Sequence, residues 1–142
     1  MPTRNSEAVW EGNLPQGKGT VKLGSGAFQG PYSFSSRFEQ GQGTNPEELI
    51  AAAHAGCFSM AFAHGLAQAG HNPRRIHTVA KVHLEKSSDG FRIPRIELET
   101  DADVPGIDDN ALEQQGEQAK KNCPVSKVLA GAEITLDATL QR

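Results

Sequence analysis

The chain has 142 residues, a net charge of -3, 37% apolar residues and two cysteines, which suits one domain with a modest core. It lacks the Lys and Arg run that phosphate neutralisation needs, so nucleic acid is not expected as a partner. His54 and His64 interrupt the longest apolar stretch, and Met1-Pro2-Thr3-Arg4-Asn5-Ser6-Glu7 has no apolar leader core, so neither a membrane span nor a secretory signal is expected. The expected compartment is the reducing cytoplasm, where cysteines more often serve chemistry than cross-linking.

In chain order, residues 8–11 and 19–23 read as short strands closed by Gly12 and Gly24. Residues 32–38 alternate apolar and polar side chains, as a half-buried strand does. The clearest helix follows. Asn45 suits its N-cap, Pro46 its first position and Glu48 the reciprocal capping site. It runs to about residue 69, with Gly70 as its stop. Because it is apolar nearly all round up to Ala63, it is expected to be buried. Residues 76–85 and 96–104 each keep a period of two around a Ser87-Ser88-Asp89-Gly90 turn, which predicts a hairpin. A polar helix over 108–122, a short helix over 125–130 and a strand over 133–140 complete the chain. The order predicts an α+β fold: an antiparallel sheet packed on a long central helix, in a single domain over residues 1–142. One sheet cannot cover a helix that is apolar on every side. A second copy is expected to supply the rest, giving a homodimer built around two such helices.

The two cysteines occupy different settings. Cys57 lies inside the Ala-rich helix, and Cys123 ends a helix in Asn122-Cys123-Pro124-Val125-Ser126. A buried thiol and a distant thiol at a mobile turn suit a two-step redox cycle. Taken from the helix alone, a lone cysteine reads as an inert core residue, and Cys123 is open to a reading as a solvent thiol. His54 shares a helix face with Cys57 and reads as a packed histidine with one hydrogen bond, while His64 and His71 read as solvent or interface residues. No HxxxH or CxxC pair is present, so no metal is expected.

Gly43-Thr44-Asn45-Pro46-Glu47-Glu48-Leu49-Ile50, then Ala52-Ala53-His54-Ala55-Gly56-Cys57-Phe58-Ser59-Met60, then Cys123-Pro124-Val125-Ser126-Lys127 resemble one known group. It is the osmotically inducible protein C (OsmC) and organic hydroperoxide resistance (Ohr) family. Trp10-Glu11-Gly12, Gly17-Lys18-Gly19-Thr20 and Arg37-Phe38-Glu39 extend the resemblance over nearly the whole chain, and the contexts of His54 and Arg37 resemble the OsmC-like branch. The resemblance implies a thiol peroxidase acting on organic hydroperoxides, with Cys57 peroxidatic and Cys123 resolving through a Cys57–Cys123 disulfide. It implies Arg37 and Glu47 as the supporting pair, an intertwined homodimer with interfacial sites, and no cofactor. It also implies recycling by a dithiol reductant, a lipoylated protein being one candidate. A pocket for a bulky apolar peroxide is expected around Phe58, Met60 and Phe62.

Elementary chemistry sets what these residues must do. A free thiol has a pKa of about 8.5, so only a few per cent is thiolate at neutral pH. Full ionisation gains about thirtyfold, roughly 2 kcal/mol. The remaining acceleration must come from stabilising the alkoxide that leaves, which a fixed guanidinium can do. A carboxylate gripping both arms of the fork would orient it. Glu47 and Cys57 lie about 15 Å apart along an unbroken helix. Either the helix is broken between them or the partner subunit supplies Arg37 and Glu47. Arg37 is otherwise an exposed strand residue, and Glu47 a favourable charge at a helix start. Two other functions fit the same residues: a thiol hydrolase or acyl transferase using Cys57 with His54 as base, and a non-enzymatic stress or ligand-binding dimer with inert thiols.

Overall fold

The computed structural model describes residues 1–141. Its chain divides into two compact units, Met1–Leu49 and residues 50 onward.

In the first unit, β1 (Ser6–Glu11), β2 (Lys18–Leu23) and β3 (Gln29–Tyr32) form an antiparallel sheet in that order. The register places Gly19 opposite both Trp10 and Tyr32. Those two rings meet over it, their centroids 5.3 Å apart. A Cβ on Gly19 would lie 2.4 Å from the Tyr32 ring, so the ring pair needs glycine there.

The third expected strand is overturned in part. β3 stops at Tyr32, and Phe34–Phe38 is a short helix, α1. Ser33 and Ser36 close a reciprocal capping box: the Ser36 N–H donates to Ser33 Oγ (3.1 Å) and the Ser33 N–H to Ser36 Oγ (2.8 Å). This satisfies backbone donors that a strand would have paired elsewhere. The apolar–polar alternation of Phe and Ser therefore reflects a single helical turn.

Helix α2 runs unbroken over Pro46–Gln68. Asn45 Oδ1 accepts from the Glu48 N–H at 2.7 Å, which is half of the expected capping box. The Glu48 carboxylate turns instead to the Thr44 hydroxyl, at 2.6 Å.

The second unit holds β4 (Arg75–Ser87), β5 (Gly90–Asp103), α3 (Asp109–Asn122), α4 (Pro124–Val128) and β6 (Glu133–Leu140). β4 and β5 form the expected hairpin, with Ser87 opposite Gly90 across a two-residue turn. β6 joins β5 in parallel, so the sheet is mixed and not wholly antiparallel. The reason is the connection. Two helices lie between β5 and β6, and a helical crossover returns the chain in the same direction.

The core of this unit joins Phe58, Phe62 and Leu66 of α2 with Leu98 and Ala102 of β5 and Leu112 and Ala119 of α3. Gly116 lets α3 lie close against β6: a Cβ there would sit 3.1 Å from the Leu136 side chain and 3.4 Å from Ala138. One chain by itself covers one side of α2. Within one chain, α2 buries the line His54, Phe58, Phe62 and Leu66, one residue every four. Its other face, with Ala52, Ala53, Gly56 and Met60, is exposed. By length and composition α2 is long and apolar enough to cross a membrane, despite its two histidines. Here its buried line belongs to the core of a folded unit.

The close approach at Gly116 predicts that Gly116→Val overpacks the α3–β6 contact and costs about 2 kcal/mol. Urea denaturation measures it; an unchanged midpoint would show that this contact is slack.

Candidate functional site

In the first unit, α1 and the start of α2 bring Arg37 and Glu47 together. Ser36 Oγ donates to the Thr44 carbonyl (2.7 Å) and Asn45 Nδ2 to the Ser36 carbonyl (3.0 Å). These bonds draw the segment before α2 against α1. Arg37 then donates Nε to Glu47 Oε1 at 3.1 Å and Nη2 to Glu47 Oε2 at 2.9 Å. The pair is bidentate, the geometry that fixes a guanidinium plane. Glu47 is buried, and the Arg37 side chain keeps about a third of its surface exposed. The Arg37 guanidinium also lies 5.2 Å from the centroid of the Phe38 ring, within cation–π range. An exposed arginine on a strand face is thus replaced by one held from two sides.

In the second unit, the two cysteines meet. Cys57 Sγ and Cys123 Sγ are 2.9 Å apart, both as free thiols. Their settings are the reverse of those expected: Cys123 is fully buried, while Cys57 is partly exposed. Cys123 is also not on a loose turn. Its N–H caps α3 by donating to the Ala119 carbonyl (2.9 Å), and its own carbonyl accepts from the Lys127 N–H of α4 (3.1 Å). Pro124 is well placed as the first residue of α4, where no N–H is required.

One proton lies between the two sulfurs once either thiol ionises. Burial pushes the Cys57 thiol up, as does its hydrogen bond with Cys123, and only the Val125 N–H opposes them. Burial also works against the Cys123 anion. The hydrogen bond with Cys57, the N–H and hydroxyl of Ser126 and the Val125 N–H outweigh it and hold the Cys123 thiol below its ordinary value. The polar hydrogens around Cys123 therefore favour its anion over that of Cys57. Among the described residues, the groups acting on Cys57 include no cation.

His54 is fully buried, and its Nε2 lies 2.7 Å from Ser126 Oγ. This is the packed histidine with one hydrogen bond that the sequence suggested. Burial lowers its pKa and so favours the neutral ring. Ser126 carried no assigned role in the sequence reading. Its only signal there was its place three residues after Cys123.

Phe58 and Phe62 are fully buried, with ring centroids 5.5 Å apart, and belong to the core cluster with residues of β5 and α3. Met60 points the other way and is exposed, beside a shallow depression lined by Ala63, Pro73 and Ile76. Among the described residues, no group of three His, Cys, Asp or Glu side chains is placed to hold a metal ion.

The model of the OsmC-like protein family matches residues 39–138, a span containing both cysteines and Glu47. The chain belongs to the OsmC-like family. It is 50% identical to the peroxiredoxin OsmC of Escherichia coli over 97% of this chain and 96% of that protein. An organic hydroperoxide resistance protein-like relative from Staphylococcus aureus is 34% identical over 64% of this chain and 65% of its own length. Family folds match as well. An OsmC-like protein of Vibrio cholerae superposes with a TM-score of 0.77 at 18% identity, over 97% of this chain and 99% of that one. The organic hydroperoxide resistance protein OhrB of Bacillus subtilis gives 0.72 at 22% identity, over 96% and 98%.

The buried His54 makes a prediction about acid stability. Its folded pKa lies below the reference value of 6.5, so the unfolded chain takes up a proton that the folded chain refuses. The stability is present above that value and is lost as pH falls below it. His54→Gln should lose less stability than the wild type between neutral pH and about pH 5. Urea midpoints at the two pH values compare them; equal losses would mean that His54 is not a source of acid sensitivity.

Proposed function

We propose that this chain is a cytoplasmic thiol peroxidase that reduces organic hydroperoxides to alcohols, working as a single OsmC-like domain in an intertwined homodimer. The observation that carries this reading is the pair of sulfurs 2.9 Å apart, in a chain half identical to a peroxiredoxin over nearly its whole length. Two thiols in contact can close a disulfide without rebuilding the fold.

In this mechanism the Cys57 thiolate attacks the outer peroxide oxygen. The O–O bond breaks, the alkoxide leaves and takes a proton to become the alcohol, and Cys57 becomes a sulfenic acid. The Cys123 sulfur then attacks Cys57. The S–S bond forms, the S–O bond breaks and water departs. A dithiol reductant, of which a lipoylated protein is one candidate, returns both thiols. No cofactor takes part.

The arrangement of thiols makes a cation necessary. Burial and the neighbouring Cys123 both disfavour the Cys57 anion, so a positive charge must reverse that balance and receive the alkoxide. Arg37 is the side chain suited to this, because Glu47 already fixes its fork. α2 is unbroken over Pro46–Gln68, which supports the reading in which Arg37 and Glu47 of one subunit serve Cys57 of the other. The exposed apolar face of α2 and the exposed β1 strand favour a dimer.

The hydrolase alternative is weaker, since the Nε2 that would act as base is held by Ser126 in a fully buried ring.

Wild-type protein should consume cumene hydroperoxide with dithiothreitol, and Cys57→Ser should not; equal rates for the two would overturn the peroxidase reading. Arg37→Ala should lower kcat/KM by about a hundredfold. Cys123→Ser should form the sulfenic acid yet fail to form a disulfide within the chain. Wild-type turnover in that variant would remove Cys123 from the cycle.

Subunit sharing makes a separate prediction. Heterodimers of Cys57→Ser with Arg37→Ala should recover activity, because one composite site is then intact. No recovery would assign all the site residues to one subunit.

A further inference from the structure

A reductant can enter a Cys57–Cys123 disulfide at either sulfur, and the two residues differ in access. Cys123 has no exposed surface and belongs to the core, whereas Cys57 is partly exposed. Ala119 and Ser126, on either side of Cys123 in sequence, are buried as well. Backbone bonds to the Ala119 carbonyl and from the Lys127 N–H tie Cys123 into the junction of α3 and α4, so it has no loose segment on which to swing outward. Around Cys57 the setting is open. Ala53, Gly56 and Met60, its neighbours one turn away or adjacent on α2, are all exposed. A Cβ built on Gly56 would stand in open space.

We infer that the reductant attacks Cys57, so that the mixed disulfide forms on Cys57 and Cys123 is the sulfur that leaves. This rests on the peroxidase reading for the disulfide that is being reduced; the difference in access stands without it.

The sulfurs are already 2.9 Å apart, so closing the bond needs only a small shift. The oxidised pair therefore keeps Cys123 on the core side and Cys57 on the outer side. Assembly does not reverse this order. A second subunit only removes surface: it can cover Cys57 further, but it cannot uncover Cys123. The peroxide must still reach Cys57 in the assembled protein, and the opening that admits it also admits a thiol.

The chemistry of exchange points the same way. The sulfur that leaves best is the one whose anion is better stabilised. The groups around the pair hold the Cys123 thiol below its ordinary value and push the Cys57 thiol up. Access and leaving ability thus select one direction.

The exchange is a two-electron reduction by a dithiol. One thiolate of the reductant bonds to Cys57 Sγ as the Cys57–Cys123 bond breaks. Cys123 leaves with the electron pair and takes up a proton. The second thiol of the reductant loses its proton and attacks the reductant's own sulfur in the mixed disulfide, and Cys57 leaves as a thiolate. The dithiol is oxidised to a disulfide and the cysteine pair is reduced. Cys57 is released last, as the anion that the next peroxide requires.

The test starts from the wild-type chain oxidised with diamide, so it needs no peroxide. A short pulse of mercaptoethanol, a monothiol that lacks the second sulfur, is stopped with acid. The unfolded chain is alkylated with N-ethylmaleimide and digested with trypsin. Arg74 and Lys121 lie between the cysteines, which therefore fall on separate peptides. At the earliest times, mass spectrometry should find mercaptoethanol on Cys57 and maleimide on Cys123 in about tenfold excess over the reverse. Equal amounts, or an excess on Cys123, overturn the inference, as does failure of diamide to close a disulfide within the chain. Single-cysteine variants check access directly. Folded Cys123→Ser should react with an aromatic disulfide reagent about tenfold faster than folded Cys57→Ser; the opposite order overturns the inference. Cumene hydroperoxide consumption tests the peroxidase reading separately. Turnover with the adduct on Cys123 sinks the inference alone, and an adduct on Cys57 without turnover sinks the reading alone.

Discussion

The structure turns on the contact between two sulfurs that lie far apart in sequence. Cys57 is brought to it by α2, whose buried line of His54, Phe58, Phe62 and Leu66 sets the rotation of the helix against the core. Cys123 is brought to it by the junction of α3 and α4, anchored through Ala119 and Lys127. Gly116 lets α3 come close enough to β6 for that junction to settle. The same packing that buries the aromatic side chains thus fixes the position of the thiols. A site built on two helices and a core is held more tightly than one built on loops.

Electrostatics then gives the two thiols unequal parts. Cys57 is pushed toward the neutral form by burial and by its neighbour, whereas Cys123 gathers the polar hydrogens at the start of α4. Left to these groups, Cys123 would hold the anion and Cys57 the proton. This explains why a fixed guanidinium is central to the proposed chemistry. Arg37 is gripped at both arms by Glu47 and not left free to be solvated. An arginine that loses little freedom in reaching its working geometry makes a better stabiliser of transient charge.

Much of this fold could be read along the chain. Asn45 and Pro46 marked the start of α2, and Gly70 its end, within a residue of the structure. The period of two in residues 76–85 and 96–104 located the β4–β5 hairpin, because one face of a half-buried sheet leaves that trace. The polar helix expected over 108–122 is α3, and Asp108 proves to be its N-cap, accepting from the Ala111 N–H at 2.8 Å. Tyr32–Phe38 misled because Phe and Ser alternate there. A single helical turn closed by two serine hydroxyls leaves too short a pattern to show a period. The parallel pairing of β6 was equally hidden, since alternation reports a buried face and carries no strand direction.

What the sequence determined by itself was local: the caps, the hairpin, the cysteines and the motif around them, all set by residues within a few positions of one another. The tertiary structure decided which groups touch. Cys57 with Cys123, Arg37 with Glu47 and His54 with Ser126 are contacts between different elements, and their distances depend on how those elements pack. It also decided which apolar residues face inward. α2 is apolar on nearly every side, so its composition held no record of which face would meet the core, and only packing separated buried Phe58 and Phe62 from exposed Met60.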